Sequence, residues 1–338
     1  MSQRIFLMLG LFVLLLLGLT SILSINTEMV SEPQLLFPEL KKKVAEIDKL
    51  EIITTTETTT IVRKDDQWLV AQRDDYDAQR EELSNLVLQL VDLRLKEKKT
   101  SKEENFALLG VSDLDIVDSD ATRINLHSEG QIFSALFGNQ SSGRKGRFVR
   151  LGNQVWLADE IKILKKVTEW LEPIVIDVDP EDIVRVEMGS LVFERDPDGG
   201  FEVSPLPITK QLKYPSVSQE PARALTKVRL EDVSPHDPRR WESARRATFF
   251  LRNGTEIEAL ASKRKENFWL HFSTLKRLDS ELVLEFGDNA GESGINSKEK
   301  NVLYQKSLSD WDFNVSNYVY DDFVLDLDDI FKDKLDSK

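Results

Sequence analysis

Cysteine is absent from this 338-residue chain, and histidine and methionine are scarce, at 3 and 4 residues. Without cysteine there is no disulfide, no thiol nucleophile and no zinc–thiolate cluster. The three histidines, His127, His236 and His271, are far apart in sequence. None belongs to a His-Glu-x-x-His pair, so the pattern argues against a zinc site. No Gly-x-Ser-x-Gly elbow is present to seat a serine nucleophile. Basic charge is also in deficit, since 45 Lys and Arg against 59 Asp and Glu leave a net charge of −14. Nucleic-acid binding needs a net basic face and is disfavoured on that balance.

Charge is missing altogether between Arg4 and Glu28. The stretch Ile5 to Ile25 is apolar, and as a helix rising ~1.5 Å per residue it spans roughly 30 Å, the thickness of a bilayer's hydrocarbon core. Ile5, Phe6, Leu11, Phe12, Leu15, Leu16, Leu19 and Ile22 are the expected lipid-facing anchor residues. A cleaved signal peptide is the competing reading; it wants a shorter apolar core and a small-residue cleavage site. No alanine precedes Ala45 to supply that site. Arg4 on the short side places the N-terminus in the cytoplasm and the bulk of the chain outside.

After the anchor, hydrophobic periodicity predicts alternating sheet and helix. Leu50 to Ile53, Thr58 to Arg63 and Gln67 to Val70 read as strands, turning at Thr56-Glu57 and Asp65-Asp66. Asp77 to Leu95 reads as a helix with Asp77 as N-cap, because Leu83, Leu86, Val87, Leu90, Val91 and Leu93 form one face. Thr122 to His127, Gln131 to Phe137, Arg147 to Leu151 and Val155 to Leu157 read as a second β segment. Asp159 to Leu171 reads as a helix stopped by Pro173. The pattern then repeats. Asp182 to Glu187 matches Asp48 to Ile53, Leu191 to Arg195 matches Thr59 to Arg63, and Gly200 to Val203 matches Gln67 to Val70. The Val-Arg-Leu ending at Leu230 matches Leu93 to Leu95, and Ala247-Thr248 matches Ala121-Thr122. These matches lie 126 to 135 residues apart. The expected fold is α+β, an N-terminal transmembrane helix followed by two tandem modules of mostly antiparallel sheet with packed helices. Residues 1–27 form the anchor, 28–43 a tether, 44–172 and 173–287 the modules. Residues 288–338 form a flexible loop and an acidic-faced amphipathic helix at 320–331.

Candidate chemistry is thin. Gly138 to Gly143 followed by Arg144-Lys145 departs from a phosphate-binding loop, since the Lys and hydroxyl positions are wrong and a strand follows. It reads as a basic hairpin loop whose Arg144, Lys145, Arg147 and Arg150 are the candidate partner contacts. His127 and His271 lie in strand patterns and are expected on sheet surfaces, while His236 sits in a proline-flanked loop. Asp113 to Asp120 and Asp321 to Asp329 lack the glycine of a calcium loop. Arg239 to Arg246 reads as a salt-bridged face or a protein contact.

Leu36-Phe-Pro38, the strand pair ending in Trp68 and the helix into Leu93-Arg-Leu95 carry a resemblance, as do Lys98-Lys-Thr100 and Phe106-Ala-Leu-Leu-Gly-Val111. Together they resemble the bacterial domain of unknown function 4340 family, most closely over residues 36 to 240. The resemblance implies an N-terminal membrane anchor and an extracytoplasmic accessory role beside gliding-motility-type ABC exporters, with an ABC permease or auxiliary subunit as partner. It supplies no catalytic residue. The functional expectation is a non-enzymatic, membrane-anchored interaction protein with no cofactor and no metal. The alternatives are a periplasmic binding module for a lipid, glycan or peptide held between the repeats, and an envelope hydrolase.

Overall fold

The computed structural model describes residues 34–276 and 308–334. The expected anchor at 1–27 and the expected loop at 288–300 lie outside the described residues. Among the described residues no helix is long and apolar enough to cross a membrane.

In the first half, strands β1 (Gln34–Leu35), β2 (Ile47–Ile53), β3 (Thr58–Lys64) and β4 (Gln67–Val70) lead through β5 (Tyr76–Asp77) to helix α1 (Arg80–Asp92). Then follow β6 (Arg94–Lys98), β7 (Thr122–Ser128), β8 (Gln131–Gln140), β9 (Arg147–Leu151) and β10 (Gln154–Ala158). Period-2 burial is clearest on β7, where Thr122, Ile124, Leu126 and Ser128 point inward. The β3–β4 turn places Asp65 and Asp66 both at positive φ, the geometry a two-residue hairpin requires. Helix α1 buries Leu83, Leu86, Val87, Leu90 and Val91, the face its spacing predicts.

The second half repeats this order with β11 (Ile174–Ile176), β12 (Ile183–Met188), β13 (Leu191–Arg195), β14 (Phe201–Ser204), β15 (Lys210–Leu212) and β16 (Val228–Pro235). It continues with β17 (Arg245–Leu251), β18 (Glu256–Arg264), β19 (Asn267–Lys276), β20 (Trp311–Val315) and β21 (Phe331–Asp333). The first sheet runs β1-β6-β10-β9-β8-β7-β2-β3-β4 through its first nine positions, and the second runs β11-β16-β20-β19-β18-β17-β12-β13-β14. The two orders correspond strand for strand, and the pairs are antiparallel in both. Each sequence match that defines the repeat falls on an equivalent strand: β12 on β2, β13 on β3, β14 on β4, β16 on β6 and β17 on β7. The chain clusters into two units. One holds the residues up to Leu69 with Arg80–Trp170, the other Val70–Gln79 with Leu171 onward. Within the second unit, Tyr76 packs edge-on against Trp311 at 5.2 Å and Arg73 pairs with Asp232 at 2.5 Å.

Five expectations are corrected. Helix α1 stops at Asp92, and Arg94–Lys98 is a strand, because β1 and β10 take up its backbone groups on both sides. Asp77 belongs to β5 rather than capping the helix. Residues 159–171 form no α-helix and end in a 3₁₀ turn, Val167–Trp170. There the Glu169 carboxylate accepts from the backbone N–H of Lys165 and Lys166, and the Trp170 indole donates to Leu164 O. Those local bonds compete with a helical ladder. In the second module the place of α1 is taken by a 3₁₀ stretch, Val217–Arg223, interrupted by Pro221. Finally, the C-terminal helix is split into α2 (Asn317–Asp321), α3 (Leu327–Ile330) and strand β21, which pairs with β15. Ser316 caps the first new helix start, and Asp326 with Asp329 forms a capping box at the second. Phe323 comes from this segment to pack against Phe249 and Phe272 at 5.9 and 5.7 Å in the second core.

Candidate functional site

The densest polar cluster lies on β20 of the second module. Phe313 and Val315 face the aromatic core, and Asp312 lies out of contact with solvent beneath the β16–β17 connection. Its Oδ1 accepts from His236 Nδ1 at 2.8 Å, Trp241 Nε1 at 3.1 Å and His271 Nδ1 at 3.2 Å. Its Oδ2 accepts from Arg240 Nη1 at 2.7 Å and the Asp237 backbone N–H at 2.9 Å. Burial works to raise the Asp312 pKa. The donors from His271, Asp237 and His236, and the Arg240 charge, outweigh it and hold the carboxyl below its ordinary range.

His271 is buried, contrary to the surface position expected of it, and its Nδ1 also donates to Trp311 O at 2.9 Å. Its ring stacks on His236 with centroids 4.0 Å apart and planes inclined by 30°. An ionised carboxylate only accepts, so both imidazoles carry hydrogen on Nδ1. Neither Nε2 has a hydrogen-bond partner among the described residues. Arg240 lies 4.0 Å over the Trp269 ring, so the connection is clamped by stacking as well as by charge.

His236, His271 and Asp312 gather ligand-type atoms within 4.8 Å of one another, a convergence the scattered sequence positions did not reveal. The geometry does not fit an ion. Imidazole lone pairs lie in the ring planes, and rings stacked face to face cannot both reach one metal at ~2.0–2.1 Å. Asp312 is moreover saturated by five donors, one of them an arginine that keeps its proton. The cluster also contains half of a catalytic triad. His236 bridges to Asp312, but among the described residues no nucleophile meets its Nε2, and the nearby Ser234 Oγ instead accepts from Arg240 at 2.9 Å. The arrangement therefore fastens three chain segments, the β16–β17 connection, β19 and β20, around one buried charge. Sequence reasoning missed Asp312. The available signal was an acid inside the otherwise apolar strand Trp311 to Val315.

The basic hairpin loop divides into two classes. Arg144 and Lys145 are exposed; Arg144 pairs with Glu97 at 2.9 Å, and the Lys145 carbonyl accepts from Lys96. Arg147 is half-buried and donates to Gly138 O at 2.7 Å, and burial depresses its guanidinium against the opposing pull of Glu160. Arg150 is buried, pairs with Asp113 and lies 4.6 Å over the Phe106 ring. Arg147 and Arg150 are thus structural, and only Arg144 and Lys145 present charge outward. His127 pairs with Glu51 at 3.0 Å on the β2–β7 ladder. Arg239 pairs with Asp237, and Arg245 and Arg246 with Asp326 and Glu258, so this arginine-rich stretch is the salt-bridged face.

The segment Phe106 to Val111 has a clear local reason. Phe106 and Val111 pack on Val155 of β10, and Gly110 turns at φ +68 where a Cβ would sit 2.6 Å from the Asn139 side chain. The profile of the family described as Domain of unknown function (DUF4340) matches residues 68–239, just over half the chain. The chain belongs to this family. The match runs from β4 to the β16–β17 connection, so it takes in parts of both modules. No curated protein and no solved structure matches the chain.

Proposed function

We propose that the chain is a non-enzymatic accessory protein, tethered by Ile5 to Ile25 to the bacterial inner membrane, with its two sheet modules in the periplasm. In this reading it works with an ABC-type export system by contacting a permease or auxiliary subunit. The observation that carries the non-enzymatic part is the Asp312 cluster. Its acid, histidines and arginine are engaged in holding segments together, and among the described residues no nucleophile is hydrogen-bonded to either Nε2. The apolar stretch supports the tether. The family resemblance supports the exporter as partner. The test is purification of the tagged full-length chain in mild detergent, with and without residues 1–27, followed by mass spectrometry. Recovery of an ABC permease and its auxiliary subunit is the expected result, and the truncation separates the contribution of the anchor from that of the modules. Recovery of the chain alone contradicts the accessory role.

A further inference from the structure

The first module carries a basic face on a strongly acidic chain, and this face lies beside the point where the tether joins the fold. Strand β6 and the residue after it supply Arg94, Lys96, Lys98 and Lys99, and the β8–β9 loop brings Arg144 and Lys145 against them through the Lys96–Lys145 and Arg144–Glu97 contacts. Two carboxylates temper the face: Glu97, shared by Lys99 and Arg144, and Asp159, paired with Lys96. Arg94, Lys98 and Lys145 form no ion pair among the described residues and are exposed. The equivalent strand of the second module, β16, carries Arg229, Glu231 and Asp232 in place of this lysine run.

Position gives the charge its meaning. Strand β1 pairs antiparallel with β6, Gln34 against Leu95 and Leu35 against Arg94, which aims the chain at Gln34 towards the Lys96–Lys98 end of β6. Only eight residues lie between Ile25 and Gln34, nine steps along the chain. At full extension they reach at most roughly 30 Å, so an anchored chain must hold β6 near the membrane surface. Cations held within a Debye length of anionic headgroups are attracted to them.

We infer that the β6 face with the Arg144-Lys145 loop docks on anionic phospholipid headgroups and orients the first module against the membrane. The inference rests on the tethered reading above, and the experiment separates failure of the two. Because the chain lacks cysteine, Ser142→Cys gives a single fluorophore site in the basic loop. Gln67→Cys gives a control at the exposed start of β4. Strand β4 is four steps from β8 and seven from β6 in the sheet, roughly 19 and 34 Å at the usual strand spacing, and Gln67 lies at the sheet end opposite the β8–β9 loop. Full-length protein carrying either label is reconstituted into phosphatidylcholine vesicles, or into vesicles one-third phosphatidylglycerol, with a headgroup acceptor dye. The Ser142 label is expected to transfer roughly twofold more efficiently in the anionic vesicles, a gain abolished by high salt. The exposed triple variant Arg94→Gln, Lys98→Gln, Lys145→Gln is expected to abolish it too, while the Gln67 label changes little. Equal transfer in both vesicles, with the protein co-floating, overturns headgroup docking and leaves the anchor standing. Failure to co-float with either vesicle overturns the anchor and this inference with it. Loss of a co-purifying protein from the triple variant, with no lipid dependence, reassigns the face to an acidic protein and overturns the lipid docking.

Discussion

The two modules repeat one sheet, yet they fasten the equivalent connection over it by opposite means. In the first, the β6–β7 connection sets Phe106 and Val111 on Val155, with the buried Arg150 stacked on Phe106 and paired to Asp113, itself half-exposed. In the second, the β16–β17 connection delivers His236, Arg240 and Trp241 to Asp312, with His271 completing the cluster. The equivalent strands supply the counterparts, β9 and β10 in one case and β19 and β20 in the other. Apolar burial is tolerant of geometry and of pH. A buried carboxylate with five donors demands both position and charge, and it fails sharply when one partner is removed. The second module is therefore the more specific and the more breakable, and its clamp reaches β20, which follows the segment that lies outside the described residues.

The comparison breaks most visibly at Asp312. Asp312→Ala leaves Arg240 and two imidazoles without their acceptor, and is expected to cost about 3–5 kcal/mol by urea denaturation. Asp113→Ala strands Arg150, which keeps its contact with Phe106, and is expected to cost less, about 1–3 kcal/mol. Equal losses would show that the two clamps do not differ in kind.

Next in size is a change of fit. A Cβ on Gly138 would lie 2.3 Å from Leu109 O. Gly138→Ala is expected to destabilise by about 1–3 kcal/mol through displacement of the Phe106–Val111 segment. Measured by thermal unfolding, an unchanged midpoint would mean that this connection is not seated against β8.

Acid titration sharpens the contrast between modules with smaller effects of opposite sign. In the first module burial works to raise Glu51, but bonds from Lys49, Asn125 and His127 outweigh it and hold its pKa at about 2. Its contribution is complete above the unfolded value near 4.5 and is lost as pH falls through about 2. Glu51→Gln is expected to cost about 1–2 kcal/mol at neutral pH, with the difference vanishing in strong acid. In the second module, burial and then the neighbouring Asp321 and Glu220 push Asp322 up to about 6. The folded state favours its protonated form, so a penalty grows as pH rises from about 4 to 6. Asp322→Asn is expected to stabilise by a few tenths of a kcal/mol at neutral pH and to have no effect below about pH 4. Unfolding midpoints across the pH range check both, and a reversed sign in either would overturn the assignment of its partners.

Much of this architecture is legible in the residues. The hairpins follow from alternation and turn chemistry, helix α1 from its Leu83 to Val91 stripe, and the duplication from matches that all land on equivalent strands. Where sequence reasoning fails, tertiary partners override local preference. Leu93 to Leu95 continues a helical pattern but is claimed by two neighbouring strands, and residues 159–171 have helical spacing but are held by the Glu169 carboxylate and the Trp170 indole. The Asp312 cluster was illegible for another reason. Its members come from positions 236, 240, 241, 271 and 312, and only the register of β19 with β20 brings the last two together. The Arg144 to Arg150 loop was half legible. Its charge is plain, but alternate residues of β9 turn Arg150 inward onto Phe106.

The most direct test is amide hydrogen exchange on the full chain with and without Asp312→Ala. If the cluster is a clamp, protection is lost at Trp311–Val315, at the His271 end of β19 and across Ser234–Ala244, while the first module keeps its protection. If protection is retained throughout and the substitution instead abolishes binding of a metal or turnover of a substrate, the cluster is a chemical site and the non-enzymatic reading is wrong.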